Sequence, residues 1–413
     1  MESKEEEPQQ ETPPISIPAP EEISRAHKFW DTQPMPKLST LVSKNLEMEQ
    51  GPLDPPKTVD DVRQEPYRLH SSLEWVSVDV MDEEWMEQLY KLLTENYVED
   101  DDALFRFDYS PEFLMWALTP EGYRQEFHVG VAVKGTKRLV GFISGIPARV
   151  NVYGQSIEMV EINFLCVYKK YRQNRLAPVL IKEVTRRVNL TNVWQAVYTA
   201  GVVIPTPIGQ ARYWHRSLDP IKLVEIGFTR FGPKLNNARA KKLYKLPEEP
   251  QIAGFRAMRE SDVESVHQLL MDYLSRFSLY VEFSISEIAH FFLERHNVVY
   301  SYVVEDESGQ ITDFCSFYSL PSSCLRSTKH EKLNAAYSYY NVPGAHTIME
   351  LFKDMLIVAK SKGFDVFNAL DIMENSTVFN ELKFGIGDGN LQYYLYNWRC
   401  GSMKPSQIGL VLV

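Results

Sequence analysis

Apolar and polar positions alternate along the first half of the chain in a way that predicts an α/β protein. Short apolar runs bounded by charge are typical of strands, and apolar residues spaced by three and four are typical of helices. The elements predicted there are a helix over Glu83–Tyr97, strands near His128–Val133 and Arg138–Pro147, a strand and a helix within 161–190, and a strand over Val193–Ala200. Such alternation indicates a mixed sheet covered by helices.

The same kind of alternation returns after a polar, proline-containing segment, Leu246–Gly254. The elements predicted there are a helix over Glu260–Phe277, strands over Asn297–Glu305 and Ile311–Tyr318, a helix over Ile348–Lys362 and a strand over Asp365–Leu370. Their order echoes the first half, although the residues themselves show no strong repeat. Because 413 residues exceed the usual size of one core, we expect two domains or two fused lobes.

The segment Glu161–Pro178 joins a predicted buried strand to a basic turn and a helix. The apolar run of the strand is Ile162, Phe164, Leu165, Cys166 and Val167, and Pro178 suits the first turn of the helix. The turn carries four cations, Lys169, Lys170, Arg172 and Arg175. Free N–H groups and the dipole at a helix start also favour an anion. The segment therefore indicates a pyrophosphate site, although a core strand followed by a solvated basic loop explains the pattern equally well.

Composition narrows the functional classes. A content of 44% hydrophobic and 24% charged residues is typical of a soluble globular protein, and the net charge of −11 favours cationic partners over nucleic acid. The four cysteines form no C-x-x-C pair and have no zinc-like spacing with histidine, so we expect reduced thiols and no metal. We find no long apolar run and no signal peptide, and expect a cytoplasmic protein without a transmembrane segment. Residues 1–25, rich in Glu, Pro and Gln, predict a disordered acidic tail.

Two segments, EINFLCVYKK (161–170) and KFGIGDG (Lys383–Gly389), resemble the signature segments of N-myristoyltransferases. RQNRLAP (172–178) resembles the phosphate-cradling turn of the wider GNAT acyltransferase superfamily, with Arg175 and Ala177 where simpler members have glycines. Further similar segments are His27–Pro34, Asn96–Leu114, Thr191–Pro207, Arg212–Leu218 and Gly363–Asp371. The resemblance thus extends from about residue 26 to Val413, and ordered agreement over several segments is more specific than any single motif.

For the fold, this resemblance implies two fused GNAT-like lobes related by pseudo-twofold symmetry, which share a saddle-shaped mixed sheet. Residues 26–245 would form the N-terminal lobe, which binds acyl-CoA. Residues 246–413 would form the C-terminal lobe, which binds the peptide and carries the catalytic chain end.

For the activity, the resemblance implies transfer of a myristoyl group from myristoyl-CoA to the N-terminal glycine amine of proteins, by direct attack on the thioester. Myristoyl-CoA would bind first, as a co-substrate, with no permanent cofactor. A covalent acyl-enzyme is not expected because the apolar surroundings of Cys166 disfavour a thiolate. Two alternatives stay open: a GNAT-type transferase with a shorter acyl donor, and an acyl-CoA-binding scaffold without turnover.

The expected partners are myristoyl-CoA and glycine-starting peptides with basic residues a few positions in. We expect a monomer. The family also implies transient association with ribosomes or membranes, although its basic N-terminal stretch is replaced here by an acidic one.

The resemblance assigns the chemistry to a few positions. The backbone N–H groups of Phe164 and Leu165 match an oxyanion hole, in which a strand bulge frees two donors. The apolar end Ile408–Val413 predicts a strand docked in the core, and the resemblance implies that the α-carboxylate of Val413 is the base. Asn163 and Thr199 match positions that hold and deprotonate the incoming ammonium.

The resemblance also supplies the positions that would contact the cofactor. They are Lys28, Phe29, Trp30, Phe164, Leu165, Cys166, Val167, Arg172, Gln173, Asn174, Arg175, Leu176, Ala177 and Pro178. Tyr168 stands where the family usually has histidine. Because the neighbouring roles belong to the main chain, we expect activity to survive and cofactor affinity to be the property that changes.

The acceptor side begins at the acidic run Glu99, Asp100, Asp101 and Asp102. Such a run is usually a solvated loop, but the resemblance implies that it faces lysines of the substrate peptide. The other groove positions are Phe105, Phe107, Tyr109, Tyr213, His215, Tyr318, Ser322 and Asp388. Core packing explains most of the aromatic residues equally well. The glycines of KFGIGDG lack the strand signature of a phosphate loop and favour close backbone approach to a substrate glycine.

Overall fold

The computed structural model describes residues 28–36, 50–100, 102–232 and 235–413, so Asp101 and the predicted tail 1–25 lie outside the described residues. The strands are β1 (Leu73–Ser77), β2 (Phe105–Phe107), β3 (His128–Val133), β4 (Leu139–Val152), β5 (Gln155–Val167), β6 (Gln195–Ala200), β7 (Gly209–Ser217), β8 (Phe255–Ala257), β9 (Leu279–Val281), β10 (Val299–Glu305), β11 (Ile311–Ser319), β12 (Ser322–Cys324), β13 (Lys332–Leu333), β14 (Ala335–Val342), β15 (Val366–Leu370), β16 (Gly385–Tyr396) and β17 (Ile408–Gly409). The α-helices are α1 (Glu83–Asn96), α2 (Pro111–Leu118), α3 (Leu176–Asn189), α4 (Pro220–Glu225), α5 (Asn237–Leu243), α6 (Val263–Leu274), α7 (Ile285–Phe292) and α8 (Ile348–Ser361).

Fourteen of these strands form one mixed sheet. Its main path runs β1-β3-β4-β5-β6-β16-β7-β15-β14-β11-β10-β8, while β9 and β17 pair with each other and β9 also pairs with β4. The pairs β5–β6, β14–β15 and β9–β17 are parallel, and the remaining described pairs are antiparallel. A small second sheet contains β13, β12 and β2. The predicted mixed α/β architecture is therefore confirmed.

The strand path has the same order of equivalent elements from either edge. Counted inward, β1, β3, β4, β5, β6 and β16 correspond to β8, β10, β11, β14, β15 and β7. Each half contains one parallel βαβ unit, β5–α3–β6 and β14–α8–β15. The middle strands β5 and β14 each carry a register shift against their antiparallel neighbour. This order agrees with the pseudo-twofold arrangement that the resemblance implied, while the lobe boundary at residues 245 and 246 stays a prediction.

The turns that precede α3 and α8 differ in charge. Before α3 the turn is basic, whereas before α8 it contains Gly344 and His346. There the buried carboxylate of Asp313, on β11, accepts hydrogen bonds from the backbone N–H groups of Gly344 and His346 at 2.8 and 2.9 Å. The imidazole of His346 lies 3.0 Å from the same carboxylate. A side chain of the protein thus occupies the N–H groups at the second turn.

Helix starts follow ordinary capping chemistry. Asp82 precedes α1 and accepts a hydrogen bond from the N–H of Trp85 at 2.9 Å. Thr347 and Glu350 form a reciprocal capping box at the start of α8. Such caps satisfy N–H groups that have no partner within the helix, and each stabilises the fold by about 1 kcal/mol.

Several predicted boundaries move. The strand predicted over Arg138–Pro147 is β4, which continues past Pro147 to Val152. It ends there because Tyr153 and Gly154, both with positive φ angles, form a tight hairpin turn into β5. The predicted helix over 260–277 is shorter: a 3₁₀ turn at Glu260–Asp262 precedes α6. The carboxylate of Asp262 pairs with Arg256 there at 2.6 Å.

The apolar chain end packs into the core, but only Ile408 and Gly409 lie in a strand. The following residues bind tyrosine hydroxyls instead of a neighbouring strand. Tyr393 donates its hydroxyl hydrogen to the carbonyl of Leu410 at 3.0 Å, and the N–H of Val411 donates to the hydroxyl of Tyr340 at 3.1 Å. Across the described ranges, no helix has both the length and the apolar surface needed to cross a membrane.

Candidate active site

A bulge interrupts β5 beside β4. Ser144 of β4 pairs with Asn163 and Phe142 pairs with Cys166, so Phe164 and Leu165 together face one residue of β4. Phe164 adopts a φ of 53°, a conformation that residues with a side chain rarely adopt. A bulge of this kind turns backbone groups out of the sheet ladder. The backbone N–H groups of the bulge are therefore the first chemical feature of the site.

Asn163 connects the bulge to the chain end. Its side-chain nitrogen donates a hydrogen bond to the backbone oxygen of Val413. Its side-chain oxygen accepts a hydrogen bond from the N–H of Phe164 at 2.9 Å, so one of the two expected oxyanion donors is engaged by Asn163. The structure brings these three predicted residues together. Thr199 lies on β6 opposite Tyr393, the residue that holds Leu410.

The basic turn after β5 forms a 3₁₀ segment, Lys169–Asn174, and Arg175, with a φ of 53°, precedes α3. Pro178 lies in the first turn of α3, as predicted. The guanidinium of Arg172 donates to the carbonyl oxygens of Val167 and Asn96, so it fastens the turn to the end of α1. The other predicted residues of the turn divide by exposure: Gln173, Asn174 and Arg175 are exposed, Ala177 is half-buried and Leu176 is buried.

The segment Lys28–Trp30 lies against β6, the strand next to β5. Lys28 is exposed, whereas Phe29 and Trp30 are half-buried. The indole of Trp30 stacks on Tyr198 with 5.9 Å between ring centroids, and Tyr198 stacks on Tyr394 at 4.9 Å. Two predicted cofactor segments, far apart in sequence, therefore meet on neighbouring strands.

The predicted groove residues surround one aromatic cluster. Tyr318 stacks on Tyr337 at 5.3 Å, and Tyr213 stands edge-on to Tyr337 at 6.1 Å. Phe107 contacts both Tyr337, at 6.4 Å, and Tyr109, at 5.8 Å. Tyr337 was not predicted, although the dense aromatic content of β14 was a signal for it.

The aromatic cluster reaches the bulge and the small sheet. The ring of Phe164 stands edge-on to Tyr109 with 5.1 Å between centroids. Ser322 of β12 pairs with Phe107 of β2, and Phe105 contacts Phe228 at 5.9 Å. The groove residues and the bulge are thus joined by one continuous set of ring contacts, in which Phe164, Tyr109, Tyr318 and Tyr337 are buried.

The acidic run is divided between internal contacts and solvent. Glu99 pairs with Arg106 and with Lys169, each at 2.7 Å, and the hydrogen bond from Lys169 lowers the pKa of its carboxyl. Asp100 accepts a hydrogen bond from the N–H of Leu104 at 2.8 Å. Asp102 is exposed. Half of the run therefore has a structural role that the sequence did not reveal.

The KFGIGDG segment opens β16. Gly387, Asp388 and Gly389 bulge out opposite Tyr213 of β7. A Cβ atom on Gly387 would lie 2.5 Å from Nε2 of His215 and 2.7 Å from the carbonyl of Tyr213. The protein's own His215 thus requires glycine at 387, a reason other than the predicted approach of substrate. Burial lowers the pKa of His215, which bonds Asn368 at 2.6 Å and is close enough to Asp388 to feel its charge.

Cys166 and Tyr168 follow the bulge in the sequence. Burial raises the pKa of the Cys166 thiol to about 12, so the sulfur is a protonated thiol near neutral pH. Tyr168 contacts Tyr171 at 6.3 Å and lies 5.7 Å from the guanidinium of Arg138. Among the described residues, no group of three or more His, Cys, Asp or Glu side chains is arranged to hold a metal ion.

A cavity that the sequence did not predict lies beside the chain end. It encloses about 430 Å³, its open mouth included, and its lining contains Val413, Glu161 and Glu287. Glu161 belongs to the recognised segment EINFLCVYKK, but its charge was interpreted only as a strand boundary. The placement of α7 over this part of the sheet, which forms the cavity, has no signal in the local sequence.

Comparison with known proteins gives concordant matches. The N-terminal domain profile of myristoyl-CoA:protein N-myristoyltransferase matches residues 52–211, and the C-terminal domain profile matches 225–411. Glycylpeptide N-tetradecanoyltransferase 1 of Arabidopsis thaliana is 52% identical over 392 residues, which cover 94% of this chain and 90% of that protein. The Dictyostelium discoideum glycylpeptide N-tetradecanoyltransferase is 52% identical over 391 residues, 94% of this chain and 93% of that protein. The structure of Saccharomyces cerevisiae N-myristoyltransferase with bound myristoyl-CoA aligns with a TM-score of 0.89 at 40% identity, covering 94% of this chain and 99% of that chain.

Proposed function

This chain belongs to the myristoyl-CoA:protein N-myristoyltransferase family, and we propose that it performs the family's reaction at the bulge of β5. It transfers a myristoyl group from myristoyl-CoA to the N-terminal glycine of protein substrates, and myristoyl-CoA is a co-substrate. The family resemblance inferred from the sequence is thereby confirmed. The residues that carry out each step, discussed next, are proposals.

The base is the carboxylate of Val413. A terminal amine has a pKa of about 8 and must lose a proton before it can attack a thioester. The contact between Asn163 and the backbone oxygen of Val413 is the single observation that carries this assignment, because it places the chain end beside the bulge. Thr199, next along the sheet, would help to hold the ammonium.

The bulge supplies the oxyanion donors. As the amine attacks, the thioester oxygen becomes negative and needs N–H groups that no strand partner uses. Phe164 and Leu165 lie in the bulge, and rotation of the Asn163 amide would release the N–H of Phe164. The amide bond forms as the carbon–sulfur bond breaks, and CoA leaves as a thiol. The raised pKa of Cys166 supports direct attack without an acyl-enzyme.

Two surfaces beside the bulge bind the substrates. The exposed basic turn and the start of α3 would seat the pyrophosphate of CoA, with Lys28–Trp30 against the same sheet. The aromatic cluster would hold the peptide, and Asp102 and Asp388 would attract its basic residues. We further propose that residues 26–245 form an acyl-CoA lobe and residues 246–413 a peptide lobe, and that Asp102, Tyr109 and Tyr213 of the first lobe contribute to the peptide surface.

We also propose a monomer that works in the cytoplasm, with transient association with ribosomes or membranes. The cysteines support a reducing compartment: all four are free, and Cys166, Cys315 and Cys400 are buried.

Mass spectrometry of two peptides tests the activity and its specificity. A glycine-starting and an alanine-starting peptide are incubated with the protein and either myristoyl-CoA or acetyl-CoA. We expect a mass gain only for the glycine peptide with myristoyl-CoA. Faster acetyl transfer would favour a shorter donor, and ligand binding without any product would favour the scaffold alternative.

A shortened chain tests the base. Removal of Leu412 and Val413 is expected to lower the rate of the first turnover by about 100-fold or more while myristoyl-CoA still binds. Val413→Ala, which keeps the terminal carboxylate, is the matched control and should retain most of the activity. Transfer by the shortened chain at the wild-type rate would overturn the assignment.

A further inference from the structure

Glu161 is a carboxylic acid inside the cavity beside the chain end. Its half-buried side chain forms no hydrogen bond or ion pair with the residues that the structure describes. Apolar residues make up much of the surrounding wall, among them Ile146, Val281 and Phe291. A carboxyl group in such surroundings, without a partner, costs stability and calls for a functional explanation.

The groups that face Glu161 make its ionisation unfavourable. Burial raises the pKa of Glu161 to about 8, and the negative charge of Glu287 on α7 adds to the effect. Tyr339 and Tyr340 approach from β14, and burial raises the pKa of both hydroxyl groups, so they stay neutral. The fourth titratable group is the terminal carboxylate of Val413, which lines the same cavity. Glu161 therefore holds a proton more tightly than an ordinary carboxyl group does.

Glu161 is also close to the proposed base. Residues two apart on a strand project from the same face, so Glu161 and Asn163 lie side by side on β5. Asn163 holds Val413, and Val413 and Glu161 both line the cavity. The cavity has room for water, which can carry a proton between the two carboxylates.

The start of α7 contributes to the wall of the cavity. Glu287 lines the cavity, and its carboxylate accepts a hydrogen bond from the N–H of Ser284 at 2.7 Å. Ser284 is exposed. The carboxylates of Glu161, Glu287 and Val413 thus belong to residues that line one cavity, and Glu287 is hydrogen-bonded to an exposed residue at the start of α7.

We propose that Glu161 takes the reaction proton from the carboxylate of Val413 and releases it to solvent through the cavity and Glu287. This inference rests on the proposed function. The substrate amine enters as R–NH₃⁺ and ends as an amide N–H, so it loses two protons. The departing CoA thiolate takes one of them and leaves as a thiol. The other stays on Val413 and must be removed before the next turnover.

Comparison of the first turnover with steady-state turnover tests the proposal. Glu161→Gln keeps the size of the side chain but cannot accept the proton. We expect a first turnover at the wild-type rate, because Val413 begins unprotonated, and a steady-state kcat lowered about tenfold with both KM values unchanged. Glu287→Gln should show a smaller fall of the same kind.

Chemical rescue separates proton transfer from packing. In Glu161→Ala, acetate or imidazole added to the buffer should raise kcat in a concentration-dependent manner, whereas wild-type protein should not respond. Glu158→Gln is the matched control, since Glu158 lies on the outer part of the same strand, exposed and paired with Arg149. It should behave as wild type throughout.

Two outcomes would overturn the proposal. One is a Glu161→Gln protein whose steady-state kcat stays within about twofold of wild type from about pH 6 to 9. The other is an equal loss in the first and later turnovers without rescue, which would show that Glu161 only supports the fold. Failure of the Val413 assignment looks different, because the shortened chain would then keep its first-turnover rate.

Discussion

Glu99 and Lys169 form an ion pair in which 2.7 Å separates the carboxylate oxygen from the ammonium nitrogen. Glu99 belongs to the acidic run predicted to meet the peptide, and Lys169 belongs to the basic turn predicted to meet CoA. Arg106 of β2 binds the same carboxylate oxygen. One side chain therefore connects the two predicted binding surfaces.

Removal of this ion pair should strengthen binding of myristoyl-CoA. In Glu99→Gln, Lys169 loses its competing anion and becomes free for the pyrophosphate. Because partly exposed pairs contribute about 0–1 kcal/mol, we expect the Kd to fall two- to about fivefold, with a smaller effect at high salt. Titration calorimetry measures this, and Glu158→Gln is the control. Weaker binding by Glu99→Gln would mean that Glu99 supports the turn and does not compete with the ligand.

Asn163→Ala should slow the chemical step. The substitution removes the donor to Val413, and we expect this loss to outweigh the release of the Phe164 N–H from the Asn163 oxygen. Loss of a hydrogen bond to a charged group costs about 1.5–3 kcal/mol, so we expect a first-turnover rate lowered about tenfold to 100-fold. Rapid-quench measurement checks the rate, and binding of myristoyl-CoA should be unchanged. An unaltered rate would remove Asn163 from the mechanism.

Gly387→Ala should weaken peptide binding. The new methyl group would lie 2.5 Å from the His215 ring and 2.7 Å from a backbone carbonyl, so β16 or His215 must move. We expect the KM for peptide to rise about tenfold and the melting temperature to fall, with myristoyl-CoA binding intact. Gly232→Ala, where a Cβ meets nothing within 4 Å, is the control. A wild-type peptide KM would show that His215 adjusts freely.

The raised pKa of Glu161 should make the free energy of unfolding depend on pH. Its pKa in the folded state is about 8, above the usual value of 4.5, so the folded state binds its proton more tightly. The stabilisation from this proton is complete below the unfolded pKa and is lost as the pH rises toward about 8, by about 1.4 kcal/mol per pKa unit. Glu161→Gln has no ionisable group at this position, so its stability does not show this decrease with pH. Thermal melting should show similar stabilities near about pH 5 and a more stable variant above about pH 8, whereas parallel curves would contradict the shifted pKa.

Features with a local sequence signal were predicted well. Features that depend on contacts between distant segments were predicted poorly. The apolar run of β5 and the position of Pro178 identified the strand and α3, because both signals are local. The extension of β4 to Val152 depends on the Tyr153–Gly154 turn. That turn extends β4 only because β5 folds back and pairs with β4.

In the candidate site, too, some residues were predicted from the sequence and others were not. Family resemblance brought out Asn163, Phe164 and Val413, which the structure places together. It did not reveal the internal pairing of Glu99, the central place of Tyr337 or the cavity around Glu161. Each of these includes a contact between residues more than 60 positions apart, such as Glu99 with Lys169, Tyr337 with Tyr213 and Glu161 with Glu287, and no short window of the sequence contains that contact.

The buried carboxylate of Asp313 makes the two halves of the duplicated fold unequal as anion-binding sites. Two equivalent βαβ units suggest room for two nucleotides, yet the second unit directs its turn N–H groups at a carboxylate of its own chain. A phosphate would have to displace that buried anion, and no basic turn lies there to attract it. The pyrophosphate site proposed at the basic turn therefore has no counterpart at the turn before α8, so the proposed function predicts one CoA bound per chain.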